Sequence, residues 1–265
     1  MQNIQLPLTG RNIVITRSKE KINHVKDLFQ SNGAQIFDLP ALIIDYPEDL
    51  RPLDQALSEI DNFHWIIFSS SNGIKFMERR LIERGSSLRK YTGLIKIAVV
   101  GEKTSQALDQ LGISADFVPP NFVAESLIEN FPTSAYGLRI LLPRVQTGGR
   151  TILSENFRNA GARVEEVATY ESKCPESMPQ KTIFAFRDGI IDAMIFSSGK
   201  TVYNSSFLLE KYLGIEWKSI LSEVHLLTIG PQTSIACKEV FGRVDKEAEK
   251  YTFEGLRDAA IDIFN

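Results

Sequence analysis

The chain has 265 residues, 43% hydrophobic and 24% charged, enough for one large core or two of roughly 130 residues each. A net charge of −3 and a pI near 5.8 give no reason to expect nucleic acid or a membrane surface as partner. The N-terminus, MQNIQLPLTG, lacks a basic region before a long apolar run, and no segment approaches the ~20 apolar residues of a membrane span, so a cytoplasmic protein is expected.

Residues 12–16 (NIVIT) are a β-branched apolar run closed by Arg17 and Ser18, the look of a buried parallel strand. From Glu20 to Ser31 the spacing is helical, with Ile22, Val25, Leu28 and Phe29 on one face, and Asn32-Gly33 stops the helix. Residues 35–46 form an apolar run long for one strand and broken by Pro40, which cannot donate to a ladder; an edge or a crossing between two bodies is predicted. A helix over 52–60 and a strand over 64–68 lead into Ser69, Ser70, Ser71, Asn72 and Gly73, and a helix follows to about Arg84. A strand over 95–100 ends at Gly101, a helix covers 103–111, Phe117-Val118 ends another strand before Pro119-Pro120, and 123–130 is helical. Repeated β-α alternation calls for a parallel sheet with helices on both faces.

The pattern then starts again. RILLP at 139–143 ends at Arg144 as the first strand ended at Arg17, and AMIF at 193–196 ends in Ser197, Ser198 and Gly199. Gly161-Ala162 repeats Gly33-Ala34 at an offset of 128 residues, 161 against 33, and where the first copy has Leu42 the second has Tyr170. Thr233 falls on Thr104, and FEGL at 253–256 falls on AESL at 124–127. Two copies of one α/β unit are expected, in tandem or with elements exchanged; the residues alone do not choose.

In an open parallel sheet, ligands sit beyond the carboxyl ends of the strands. Those ends carry Arg17; Ser69, Ser70, Ser71 and Asn72; Gly101, Thr104 and Ser105; Arg144 with Thr147, Gly148, Gly149 and Arg150; Ser197, Ser198, Gly199 and Lys200; and Gly230, Gln232 and Thr233. Any one hydroxyl could merely cap its own helix. Six such turns in both halves point to an anion-binding surface, since unpaired N–H groups at helix starts favour negative charge. A ligand with many carboxylates would suit it.

Sharper motifs fail. A P-loop ending at Gly199-Lys200-Thr201 would need glycine where Met194 stands, no GxGxxG follows a strand, and no GxSxG elbow exists. His24, His64 and His225 are isolated, and Cys174 and Cys237 lack a CxxC pattern, so reduced thiols and no metal site are expected.

Taken in order, ITR at 15–17, WIIFSSSNGI at 65–74, VVGEKTSQAL at 99–108, VAESL at 123–127, AMIFSSGKTV at 193–202 and TIGPQTS at 228–234 resemble uroporphyrinogen-III synthase over essentially the whole chain. The resemblance implies two flavodoxin-like, doubly wound parallel-sheet domains joined by a two-stranded antiparallel linker. One domain would be discontinuous, 1–36 with 174–265, the other would be 47–162, and 37–46 and 163–173 would form the ladder. The implied reaction is cyclisation of hydroxymethylbilane, a linear tetrapyrrole with eight carboxylates, to uroporphyrinogen III with ring D inversion and loss of water, in the cleft between the domains. It implies no cofactor, and a cytoplasmic monomer that binds neither nucleic acid nor membrane.

By the same resemblance Tyr170 is the tyrosine at the end of the ladder, a phenol that can donate its proton to the departing hydroxyl. Ser69, Ser70, Thr104, Ser197, Ser198 and Thr233 match positions lining the cleft; at Gln232 some members have a hydroxyl residue instead. The alternative is a non-catalytic tetrapyrrole or anion sensor on the same fold, which needs no phenol and commonly carries an output domain for which 265 residues leave no room. A two-domain solute-binding protein is disfavoured by the lack of an export signal.

Overall fold

The computed structural model describes residues 6–17, 22–148 and 151–265, so Ser18, Glu20, Gly149 and Arg150, named above, lie outside the described residues. In chain order the elements are β1 (Asn12–Ile15), α1 (Ile22–Gln30), β2 (Gln35–Asp38), β3 (Ile43–Asp45), α2 (Arg51–Ser58), β4 (Trp65–Phe68) and α3 (Ser71–Glu83). Then come β5 (Lys96–Val99), α4 (Glu102–Asp109), α5 (Ala124–Glu129), β6 (Arg139–Val145), α6 (Ile152–Asn159), β7 (Arg163–Lys173) and α7 (Gln180–Arg187). The chain closes with β8 (Ala193–Phe196), α8 (Gly199–Leu213), α9 (Trp217–Ile220), β9 (His225–Thr228), α10 (Pro231–Phe241), β10 (Lys246–Glu247) and α11 (Phe253–Phe264).

Two compact units result, residues 1–43 with 173–265, and residues 44–172. The first holds a sheet in the order β10-β9-β8-β1-β2, whose neighbouring strands all run parallel. The second holds β3-β7-β6-β4-β5, in which the pairs β7–β6, β6–β4 and β4–β5 run parallel.

Successive strand residues point to opposite faces, so a sheet covered on both sides needs apolar residues throughout. In the first unit Val14, Met194 and Leu226 face one layer, with Ile183, Leu208, Trp217 and Cys237 from α7 to α10. Ile13, Ile15, Ile195 and Leu227 face the other, with Val25 and Phe29 of α1 and Leu256 and Ala260 of α11. The second unit repeats the arrangement: Ile66, Phe68, Ile97 and Leu141 pack on α2, α3 and α4, while Trp65, Ile67, Ala98 and Ile140 pack on α5 and α6.

Three departures from the sequence reading have local causes. The strand expected at Phe117-Val118 is a single parallel bridge, Ala98 to Phe117, because the chain must turn off before Pro119 and Pro120, which have no N–H to give. The run at 35–46 is two strands: Phe37 and Asp38, expected in the ladder, are the last rungs of β2 against Val14 and Ile15, and only residues 43–45 lie beside β7. Pro40 sits in the break between them. Arg144, expected in a turn, lies inside β6 opposite Ala168, since the pairing with β7 continues past it.

Gly33 and Gly161 each follow a helix C-terminus in the left-handed region, φ +96° and +87°. Each is also crowded: an added Cβ would lie 2.7 Å from Thr9 Oγ1 at Gly33 and 2.6 Å from Tyr136 Cδ2 at Gly161. Ser70, Ser198 and Thr252 are extended N-cap residues whose side chains accept from the N–H three residues on. Ser198→Ala should therefore lower stability by about 1 kcal/mol, read as a fall in the urea midpoint at unchanged slope.

Candidate active site

In the second unit β6, β4 and β5 end side by side, so the turn of Ser69, Ser70, Ser71 and Asn72 and the turn of Gly101, Thr104 and Ser105 share one sheet edge. Tyr170 reaches that edge from β7. The β6–β7 register shifts there, with Arg144 opposite Ala168 but Val145 opposite Tyr170, leaving Thr169 extra. Such a bulge re-aims the side chain that follows it. The Tyr170 main-chain oxygen accepts from Gln146 N–H at 2.9 Å, which holds the strand end in place.

The Tyr170 hydroxyl lies 2.9 Å from Ser70 Oγ, one of the two hydroxyls donating. Ser70 Oγ also accepts from Gly73 N–H at 3.1 Å. A hydroxyl has two acceptor sites and one proton, so Ser70 can do both. Tyr170 is half-buried, with its ring stacked on Phe76 at 6.0 Å. Ser69 and Ser71 are exposed, Ser70, Asn72, Gly101 and Ser105 half-buried.

Arg144 is not presented as an open cation. Its guanidinium pairs with Glu166, two residues before its register partner on β7 and on the same face. Arg158 holds the other Glu166 oxygen at 3.0 Å. Burial works to raise the Glu166 carboxyl, but hydrogen bonds from Ser154, Arg144 and Arg158 outweigh it and keep the group below the ordinary carboxylate range.

In the first unit, Arg17, Ser197 and Ser198 line a hollow of about 250 Å³ with Leu42, Thr201, Ile229 and Phe253. The Arg17 guanidinium lies over the Phe253 ring at 4.3 Å, and among the described residues it has no carboxylate partner. Burial lowers its pKa from the usual arginine range. A partly dehydrated cation with which no described carboxylate pairs is a prepared place for a carboxylate. Gly199 stands 3.3 Å from Ala236 Cβ as measured to an added Cβ, and Lys200 and Gln232 are exposed. Gly230 is buried beneath the exposed ring of Tyr251, which an added Cβ would meet at 3.0 Å.

Thr104 and Thr233 correct the reading of hydroxyls open to ligand. Both are 4% exposed, and their N–H groups donate to Gly101 and Gly230 oxygens at 2.9 and 3.0 Å. They brace the turns. Sequence reasoning missed Phe253 beneath Arg17, Glu166 beside Arg144, and Phe76 beneath Tyr170. Only Phe253 had a signal, an aromatic directly after a capping Thr252 where the offset expected from the sequence sets Ala124.

The family model described as uroporphyrinogen-III synthase HemD matches residues 23–258. A uroporphyrinogen-III synthase of Synechococcus elongatus is 40% identical over 250 residues, which cover 94% of each chain. The chain belongs to the uroporphyrinogen-III synthase family. Solved structures share the fold at 17% identity: the Helicobacter pylori uroporphyrinogen-III synthetase covers 96% of this chain and 99% of its own with TM-score 0.57, and a mutant Thermus thermophilus uroporphyrinogen III synthase covers 96% and 98% with TM-score 0.51. The activity expected from the sequence, a cyclising hydro-lyase of porphyrin biosynthesis, is that of uroporphyrinogen-III synthase. Among the described residues no helix is long and apolar enough to cross a membrane, and no group of three or more His, Cys, Asp or Glu could hold a metal ion.

Proposed function

We propose that this chain closes hydroxymethylbilane to uroporphyrinogen III with Tyr170 as the acid that helps the terminal hydroxyl leave. The observation that carries the reading is the Tyr170 phenol, half-buried at a strand's carboxyl end and 2.9 Å from the Ser70 cap of α3. If Ser70 donates to the phenol oxygen, the phenol proton is left pointing away from the protein, toward a ligand. Transfer of that proton to the hydroxyl breaks the carbon–oxygen bond and releases water, leaving a cationic azafulvenium on ring A and a phenolate at Tyr170, which regains a proton from the one expelled at final ring closure. The substituted carbon of ring D attacks the azafulvenium, and the resulting spiro intermediate fragments and recloses with ring D inverted.

The substrate closes unaided to the uninverted isomer, so the protein's task is chiefly to hold the ends and ring D in one geometry. Arg17, the N–H groups at the starts of α3, α4, α8 and α10, and the hydroxyls of Ser69, Ser71, Ser197 and Ser198 would bind the carboxylates. No cofactor enters this scheme, and a cytoplasmic monomer suffices for it. Arg17→Gln should raise KM about fivefold with kcat unchanged, the size of one partly solvated ion pair of about 1 kcal/mol.

The proposal includes a duplicated chain with exchanged elements: one unit of residues 1–43 with 173–265 and one of residues 44–172, with β3 beside β7 as what remains of the expected ladder. Corresponding strand orders support it, β9-β8-β1-β2 and β5-β4-β6-β7, as do the paired caps Ser70 and Ser198 and the paired glycines Gly33 and Gly161. Supplying hydroxymethylbilane to the purified protein and resolving the product isomers is the direct test. Uroporphyrinogen III is the expected product. The uninverted isomer alone, at the spontaneous rate, would instead favour a tetrapyrrole-binding protein without catalysis.

A further inference from the structure

Helix α3 turns Ile74, Met77 and Leu81 into the core of its unit. Phe76 does not follow them. It is 3% exposed, yet it belongs to neither core cluster of its unit. Its ring lies between two tyrosines, stacked on Tyr170 at 6.0 Å with 22° between planes, and meeting Tyr46 edge-on at 5.3 Å. Arg79, one turn along α3, covers Tyr46 at 4.6 Å, and Tyr46 donates to Glu83 at 3.3 Å. The far side of the stack is therefore anchored to the same helix.

A tyrosine side chain turns about two torsions. The bulge at Thr169 sets where the Tyr170 side chain starts, and Ser70 sets where its oxygen ends. Neither stops the ring from tilting about the line between those points. Stacking on Phe76 does.

We propose that Phe76 is a positioning residue that fixes the plane of the Tyr170 ring and so aims the phenol proton. The inference rests on Tyr170 being the acid, and its test separates the two. An aromatic pair is worth about 0.5–1.5 kcal/mol. Phe76→Leu should therefore lower kcat by roughly three- to tenfold, with KM within twofold of the parent. On a Tyr170→Phe background the same change should cost less than about twofold, because the group it positions is gone. Phe76→Met, which refills the space without a ring, should behave as Phe76→Leu and guards against loss of fold as the cause.

Ring-labelled tyrosine NMR gives a readout apart from turnover, with the Tyr170 signals assigned by their absence in Tyr170→Phe. The parent should show a restricted ring and the Phe76 variants a freely flipping one. Equal kinetic losses in both backgrounds, or a Tyr170 ring no more mobile without Phe76, would overturn the proposal. Full activity of Tyr170→Phe would remove the acid instead, and the ring signal would still decide whether Phe76 holds Tyr170.

Discussion

Tyr170→Phe slows uroporphyrinogen III formation by about tenfold or more and leaves thermal unfolding nearly unchanged. The substitution removes one oxygen. The ring keeps its stack on Phe76, and Ser70 keeps its bond from Gly73 N–H, so α3 stays capped. What is lost is the proton for the departing hydroxyl and one hydrogen bond at a half-buried site, worth about 1 kcal/mol. Acid assistance commonly contributes roughly 10²–10⁴-fold, and a leaving group that can depart partly unaided belongs at or below the low end. Tenfold corresponds to about 1.4 kcal/mol of barrier. Initial rates with the isomer ratio make the measurement, and parental rates would take Tyr170 out of the mechanism.

Gly255→Ala is expected to give the largest loss of stability from a single methyl group, about 3 kcal/mol. An added Cβ would sit 2.0 Å from the Lys250 main-chain oxygen. That oxygen cannot withdraw easily, since it accepts from Thr252 N–H at 2.7 Å, and Thr252 in turn caps α11 through Gly255 N–H at 3.1 Å. The helix cannot withdraw either, because Leu256 and Ala260 are fully buried in the layer shared with β1. Relief must come from displacing the first turn of α11, which carries Phe253 beneath Arg17. The variant should therefore unfold at lower urea and also bind its polyacid more weakly. A urea midpoint unchanged from the parent would show that the turn yields freely.

The parallel α/β architecture was legible because strands buried on both faces read as short apolar runs, NIVI and WIIF among them, closed by polar turns. Pro40 marked a break in the pattern, although β2 keeps Phe37 and Asp38 on the near side of it. The strand at Phe117 was overread, since one bridge and a proline pair leave the same apolar trace as a short strand. Tyr170 drew attention in the sequence because the proposed repeat sets it against Leu42, 128 positions earlier.

Partners brought together only by folding could not be seen. Glu166 lies 22 positions from Arg144 and meets it because β6 and β7 are neighbours in a particular register. Phe76 reads in the sequence as one more apolar residue of α3, and what sets it apart is its absence from both core layers together with its ring contacts to Tyr46 and Tyr170. Thr104 and Thr233 looked like ligand hydroxyls because nothing in the composition of a turn reports how deeply the residue three after its glycine is set.

The order of strands in the first sheet bears on how the molecule is made. β1 is flanked by β2 and by β8, and its Ile13, Val14 and Ile15 are at most 1% exposed when both are present. A nascent chain emerging from the ribosome delivers β1 long before β8, so those side chains have no lasting cover while the next ~180 residues are added, about 9–36 s at 5–20 residues per second. Residues 44–172, one uninterrupted segment, can collapse in that interval. The N-terminal strand must wait, and during the wait it is the stretch most in need of a chaperone.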